Sequence, residues 1–285
     1  MTTGSGLAGR RVGITADRRW RAQADVLENL GAEVLHGPTL RTVDLSRDDA
    51  LQRATRDLIA TPPDHLVAST GMGMNMWFEA AASWNLADPL RAALGESTVI
   101  ARGAKAYSAL RRAGLDVAWQ APAETMEEVV AFLMAQGIGS ARVAVQLFDP
   151  TGHPSTAALA AACRELVEVP VYRWLMPLDV GPATRLIEAA CDRALDAVTF
   201  TSQPAVHHLF RIAAELGRGG ELREVCNTSL RPVCVGPVCA EAARAEGITN
   251  PSWPDPPRLA AMIRLVAAEL SPARGLGAGP RDGRS

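Results

Sequence analysis

Apolar residues are grouped along the chain in two ways that alternate. Short unbroken runs at Val12–Thr15, Leu66–Ala68, Val99–Ala101, Val143–Leu147, Val198–Phe200 and Val233–Val235 have no polar face, which predicts strands buried on both sides of a sheet. Between them, Ala22–Leu30, Ala106–Ala113, Glu127–Ala135, Ala157–Leu166, Arg185–Leu195, Ala205–Leu216, Ala240–Ala245 and Leu259–Leu270 carry an apolar stripe at helical spacing. Gly31, Gly114, Gly137, Gly217 and Gly247 stand where left-handed caps would end helices. Strand and helix in regular alternation predict βα units around parallel sheets.

The pattern is then repeated. Arg11-Val-Gly-Ile-Thr15 returns as Arg142-Val-Ala-Val-Gln146, and Asp64-His-Leu-Val-Ala-Ser69-Thr70 returns as Asp196-Ala-Val-Thr-Phe-Thr201-Ser202. Ile100-Ala-Arg-Gly103 returns as Val233-Cys-Val-Gly236. An interval of about 130 residues is too long for a solenoid, whose units run to about 20–50 residues, and points to two similar domains. His36–Thr42 and Glu168–Leu178 also match, each leaving an αβ unit and then meeting a proline. Read as crossovers, they predict that the chain passes between the domains twice. The expected fold is α/β: two similar, doubly wound, parallel-sheet (flavodoxin-like) domains joined by a two-strand hinge. Residues 9–38 and 175–270 would form a discontinuous domain 1 and residues 43–168 domain 2, leaving residues 271–285, rich in Gly, Pro and Arg, as a disordered tail. A cleft between two copies of one fold is where a ligand is expected.

Composition narrows the choices. The 285 residues suffice for two domains of about 100–150 each. Hydrophobic content of 48% and charged content of 21% describe a globular protein, and a formal charge of −2 offers no global field to nucleic acid or an anionic membrane. Any anionic ligand therefore needs local donors. The five cysteines include no Cys-x-x-Cys, so reduced thiols and a cytoplasmic location are expected. The first residues lack an apolar signal core, and no run approaches the roughly 18 apolar residues of a membrane span. A monomer is expected, because two domains in one chain already supply the cleft.

Candidate chemistry lies where strands meet helices. Gly71-Met-Gly73-Met-Asn75 has Met76 at the third glycine position of a dinucleotide fingerprint, and no G-x-x-x-x-G-K-[ST] exists. These glycines are expected to open a helix instead. Ser69-Thr70 and Thr201-Ser202 stand at equivalent strand ends, the edge where doubly wound sheets bind ligands. Each hydroxyl beside helix N–H groups can cradle a carboxylate or simply cap its helix; the pairing across both halves favours a ligand, with Gly71 continuing the first turn. Gly103-Ala-Lys105 and Gly236-Pro-Val-Cys239 form a second matched pair, in which glycine lets a ligand approach backbone amides. Lys105 and Arg18 would neutralise acids or stand in solvent. Thr15 and Gln146 occupy the same place in the first repeated strand. The histidines show no ligand spacing, so no metal and no cofactor are expected; His153, in a loop after a strand, is a weaker candidate. Tyr172, one of two tyrosines, would edge the cleft or pack between domains.

Taken together, these residues resemble the uroporphyrinogen-III synthase family. The likeness rests on Ile14-Thr15-Ala-Asp-Arg18, Phe200-Thr201-Ser202, Val235-Gly236-Pro237 and Val171-Tyr172-Arg173, in order across residues 9–270. The resemblance implies an enzyme that takes hydroxymethylbilane to uroporphyrinogen III without cofactor or metal. The linear tetrapyrrole loses its terminal hydroxyl as water, leaving an azafulvene. The far ring is attacked at a substituted carbon, and the resulting spiro intermediate fragments and recloses with that ring inverted. Such a protein works by folding a many-carboxylate chain into one productive shape. The substrate-binding set would be Thr15, Arg18, Ser69, Thr70, Gly71, Gly103, Lys105, Gln146, Thr201, Ser202, Gly236 and Cys239. Tyr172 would be catalytic, its phenol, with an ordinary pKa near 10, protonated at neutral pH.

Some positions depart from the family pattern. Cys239 stands where the family often has Thr, and Cys is a weak hydrogen-bond donor. Ala68-Ser69-Thr70 replaces Phe-Thr-Ser in the first half, and Gly71-Met-Gly73 replaces a Ser-Pro-like continuation. Related synthase-like domains also occur fused to a winged-helix DNA-binding domain, so a catalytically inactive tetrapyrrole sensor or binding protein with a regulatory role is the alternative.

Overall fold

A computed structural model describes residues 6–147 and 154–271. His153 and the expected tail beyond Ser271 lie outside the described residues. The chain divides into two compact units, the first made of residues up to Arg41 and from Met176 onward, the second of Thr42–Leu175.

Unit 1 begins with β1 (Arg11–Ile14), α1 (Trp20–Asn29) and β2 (Glu33–His36). The chain then enters unit 2 through β3 (Arg41–Asp44), α2 (Asp49–Ala60), β4 (His65–Ala68), α3 (Gly71–Ser83) and α4 (Ala87–Gly95). β5 (Thr98–Ala101), α5 (Ala104–Arg112), β6 (Trp119–Gln120) and α6 (Met126–Gln136) follow, then β7 (Arg142–Leu147), α7 (Pro154–Ala162), β8 (Glu165–Pro170) and β9 (Tyr172–Leu175). Unit 1 is completed by α8 (Gly181–Cys191), β10 (Ala197–Phe200), α9 (Gln203–Glu215), α10 (Gly219–Thr228), β11 (Arg231–Cys234), α11 (Pro237–Ala245) and α12 (Leu259–Leu270).

Both main sheets are parallel, ordered β11-β10-β1-β2 in unit 1 and β6-β5-β4-β7-β8 in unit 2. Counted from β1, unit 1 has the spatial order 2-1-3-4, and a parallel bridge from Val233 to Ser252 takes the fifth place. Counted from β7, unit 2 has the order 2-1-3-4-5, which is the flavodoxin-like winding. The two sheets are one arrangement entered by the chain at different strands, as the repeat foretold. β3 and β9 form a separate two-stranded sheet.

The apolar alternation inside each strand explains why helices cover both faces. In β4, Leu66 and Ala68 join one core with Met74, Trp77 and Leu110, while Val67 points the other way, to Val129 and Leu133 of α6. In β10, Val198 and Phe200 face α8–α11, and Ala197 faces α1 and α12. A residue period of two thus feeds two cores per sheet. Each fully buried large side chain, such as Trp77 or Phe200, contributes about 1.5–3 kcal/mol.

Some expectations need correction. The helix read over Ala157–Leu166 ends at Ala162, and Glu165–Pro170 is a strand paired with β7. The helix read to Leu195 ends at Cys191, with Arg193 in the left-handed region at φ 58°. His36 and Glu168 fall within β2 and β8, so the extended crossovers are shorter than expected. The five predicted glycine caps, Gly31, Gly114, Gly137, Gly217 and Gly247, all have positive φ.

Buried Arg142 ties down the start of β7. Its guanidinium bonds to the Thr61 carbonyl and the Asp57 carboxylate, and its Nε lies 3.0 Å from Glu165 Oε2, at ion-pair distance but not aligned as a hydrogen bond. Removing one partner of a buried pair is costly, though both carboxylates are about half exposed, which reduces the loss. Arg142→Ala is expected to destabilise unit 2 by about 2–3 kcal/mol. Urea unfolding followed by tryptophan fluorescence checks this, since Trp77, Trp84, Trp119 and Trp174 lie in that unit.

Burial also holds His36, His65 and His208 below the usual histidine value of 6.5. A base whose folded-state pKa is lowered costs stability once the unfolded chain takes up the proton. The melting temperature is therefore expected to be highest above pH 6.5 and to fall as the pH drops towards the lowered values. Thermal melts from pH 7.5 to 5.5 measure this.

Candidate functional site

In each sheet one pair of neighbouring strands sends the chain outward in opposite directions. The pair is β1 and β10 in unit 1 and β7 and β4 in unit 2. Helices from the two members cover opposite faces, so their first turns part at the strand ends, the usual ligand position in this winding. All the predicted hydroxyl turns lie along these two edges.

In unit 1 the edge is built on a buried hydroxyl network. Thr15 is fully buried and its Oγ1 donates to the Thr199 carbonyl at 2.7 Å. Gln23 Nε2 donates to Thr199 Oγ1 at 2.6 Å, and that hydroxyl donates to the Gly13 carbonyl at 3.1 Å. Thr15 thus holds β1 against β10 through its hydroxyl. Thr201 and Ser202 are half-buried, and Ser202 stands at the α9 N-terminus without capping the helix through its own hydroxyl. Gly236 opens α11, also without a side-chain cap. Cys239 is buried, and its thiol donates to the Phe200 carbonyl at 3.6 Å. A hydrogen bond with Cys234, then burial, push its pKa up, so it stays a neutral thiol turned inward. Arg18 is exposed, just before Arg19, which enters α1 from the left-handed region. Trp20 stacks on His36 at 3.8 Å, with Arg21 over the indole.

Unit 2 builds the corresponding edge with side chains that fill it. Thr70 caps α3, its Oγ1 accepting from Gly73 N at 3.0 Å. Gln146, fully buried, accepts from Thr70 N through Oε1 at 3.1 Å and donates to the Leu147 carbonyl. A Cβ on Gly73 would lie 2.0 Å from Gln146 Nε2, and one on Gly71 would lie 2.2 Å from the Lys105 carbonyl. The two glycines are therefore close-packing residues that also start the helix. Ser69 is buried, and its hydroxyl makes no hydrogen bond within the described residues. The Tyr172 ring is core, 1% exposed, and its phenol donates to Thr70 Oγ1 at 3.3 Å. Lys105 is exposed in the first turn of α5.

Four polar groups on these edges escaped the sequence reading. Arg102, in the turn after β5, is half-buried; burial lowers its pKa, partly offset by Tyr172, Glu124 and Glu127. Glu124 places its carboxylate at the start of α5, accepting from Ala104 N at 3.0 Å. Its place was marked in the sequence by the following Thr125-x-x-Glu128, a capping box realised as Glu128 N to Thr125 Oγ1. Gln23 and Thr199 carried the weakest signal, as polar residues on otherwise buried faces. Among the described residues no cluster of three His, Cys, Asp or Glu can hold a metal ion, and no helix is long and apolar enough to cross a membrane.

Both edges are therefore hydroxyl- and amide-rich, with peripheral cations. They suit an anionic ligand with several acceptor groups and carry little covalent chemistry of their own.

The crystal structure of a mutant uroporphyrinogen III synthase from the extremely thermophilic bacterium Thermus thermophilus superposes with a TM-score of 0.74 at 27% identity, covering 92% of this chain and 99% of that one. The wild-type Thermus structure gives 0.63 at 28% identity, over 92% and 98%. An uncharacterized Bacillus subtilis (strain 168) protein, YjjA, is 27% identical over 264 residues, 93% of this chain and 97% of its own. The family model for uroporphyrinogen-III synthase HemD matches residues 22–264. The chain belongs to the uroporphyrinogen-III synthase family.

Proposed function

We propose that this protein is an active uroporphyrinogen-III synthase, a cyclising lyase that converts hydroxymethylbilane to uroporphyrinogen III with loss of one water and inversion of the last ring. The family match across residues 22–264 carries the reading. The repeated hydroxyl-and-amide turns support it, because a linear tetrapyrrole bears a carboxylate on nearly every side chain. Catalysis consists mainly of positioning, which can be worth about 7–11 kcal/mol. Thr201, Ser202 and the amides after Gly236 hold substrate carboxylates in unit 1, with Arg18 as counter-charge; Thr70 and Lys105 do so in unit 2. Thr15, Ser69, Gly71, Gln146 and Cys239 shape those edges from beneath. The protein works as a monomer in the cytoplasm, with no metal or cofactor.

Loss of the terminal hydroxyl needs a proton, because water leaves far more readily than hydroxide. Tyr172 is the proposed donor: its ring is fixed in the core while its O–H reaches the Thr70 hydroxyl. Reprotonation follows when the closing ring loses its own proton, so the protein is unchanged over a turnover.

Hydroxymethylbilane made in situ should give uroporphyrinogen III above the enzyme-free level, measured by oxidising the products and separating the type I and type III isomers. Formation of the type I isomer alone would sink the enzyme reading and leave the sensor. Exhaustive chelation should not lower the rate.

Tyr172→Phe keeps the packing ring and removes only the hydroxyl. A positioned general acid is typically worth about 10²–10⁴ in rate, whereas one orienting hydrogen bond is worth about 0.5–1.5 kcal/mol. Turnover should fall more than about tenfold with little change in melting temperature. If Thr70→Val reproduces the whole loss while Tyr172→Phe in that background adds nothing, Tyr172 acts only by orienting Thr70.

A further inference from the structure

The two units differ most where the repeat makes them most alike. Gly103 opens α5 and Gly236 opens α11, both from extended backbone, and both helices leave N–H groups at their first turn. At Gly236 the neighbouring chain is Pro257, whose Cβ would lie 2.8 Å from an added Cβ. Pro257 follows Gly236 at the same interval by which Glu124 follows Gly103. In unit 2 that place is taken by Glu124, whose carboxylate accepts from Ala104 N at 3.0 Å and whose Oε2 would lie 2.8 Å from a Cβ on Gly103.

This placement is maintained against backbone preference. Glu124 sits at φ 59°, in the left-handed region that disfavours residues with a Cβ. Three neighbouring bonds hold it there: Glu124 N to the Ala121 carbonyl, Ala123 N to Glu128 Oε2, and Glu128 N to Thr125 Oγ1. Gly103, with no side chain, is what lets the carboxylate reach the helix end. An acidic side chain at a helix N-terminus is favoured by the exposed N–H groups, and it occupies the position a ligand anion would take.

We propose that Glu124 is a specificity-determining residue, an internal carboxylate that fills the amide end of α5 and closes the Gly103 turn to substrate carboxylates. In unit 1 Pro257, which has no carboxylate, takes the equivalent place beside Gly236. The two halves then present unequal sets of carboxylate sites, the Gly103 turn being closed to an acidic arm. Only the identity of the excluded ligand rests on the synthase reading. The occupancy of the α5 end does not.

Inorganic sulfate is the probe, titrated into the full chain while backbone amides are followed by ¹⁵N–¹H correlation NMR. In the wild type, the Ala104 and Lys105 amides should respond only at high sulfate. In Glu124→Ala they should saturate at concentrations at least about tenfold lower, because the competing tethered carboxylate is gone. Glu124→Gly, which also relieves the left-handed strain, should behave the same and covers the case in which the alanine variant folds poorly. Glu127→Ala, which removes a nearby negative charge but not the occupant, should match the wild type. Equal sulfate response in wild type and Glu124 variants, no response in any variant, or opening of the site by Glu127→Ala would each overturn the proposal. An absence of uroporphyrinogen III formation would leave these shifts intact, so the two ideas fail separately.

Discussion

Everything at the candidate edges depends on how two parallel strands are locked side by side in each unit. The lock is one arginine–aspartate arrangement used twice. The first residue of β1, Arg11, donates its N–H to Asp196 Oδ2 at 2.8 Å, while Asp196 N–H donates to the Arg11 carbonyl at 2.8 Å. In unit 2, Arg142 N–H donates to Asp64 Oδ2 at 2.7 Å, and Asp64 N–H returns a bond to the Arg142 carbonyl at 2.9 Å. Both side chains then reach on, Arg11 to the Ala194 carbonyl and Glu33, Arg142 to the Thr61 carbonyl, Asp57 and Glu165. Charge-assisted bonds to backbone fix register more firmly than apolar contact does, and a slip of one residue would turn every side chain to the opposite face. Because this register is set at the bottom of the strands, Thr15 meets Thr199 and Gln146 meets Thr70 at the top.

From that common frame the two edges diverge. In unit 1 the polar groups below the edge satisfy one another, Thr15 with Thr199 and Gln23, and neither Ser202 nor Gly236 caps its helix with a side chain. In unit 2 the side chains reach up into the edge itself, Gln146 and Tyr172 to Thr70 and Glu124 to Ala104. The repeated turns are thus alike in their place on the sheets but differ in the side chains that reach them.

Burial separates residues that the sequence treats alike. Ser69 and Thr70 are adjacent hydroxyls, yet one is 2% exposed and the other half-exposed, because successive residues at a strand end point to opposite sides. The same rule turns Thr15 inward. A hydroxyl at a strand's carboxyl end is therefore a reliable sign of the edge but not of which residue touches a ligand.

The sequence by itself determined the βα alternation, the duplicated order of strands, the glycine caps and the position of the hydroxyl turns, because periodicity, backbone conformation and helix capping are local properties. It missed the partly exposed strands β2, β6 and β8 and the helices α2, α4 and α10, whose apolar faces are too short or too interrupted to register as runs. It also left every long-range polar pairing open. That Glu124 reaches α5, that Tyr172 donates to Thr70 across 102 positions of chain, and that Arg142 is buried among carboxylates follow from how separate segments are brought together. Such pairings depend on which strands become neighbours and in what register, and only the tertiary structure decided that.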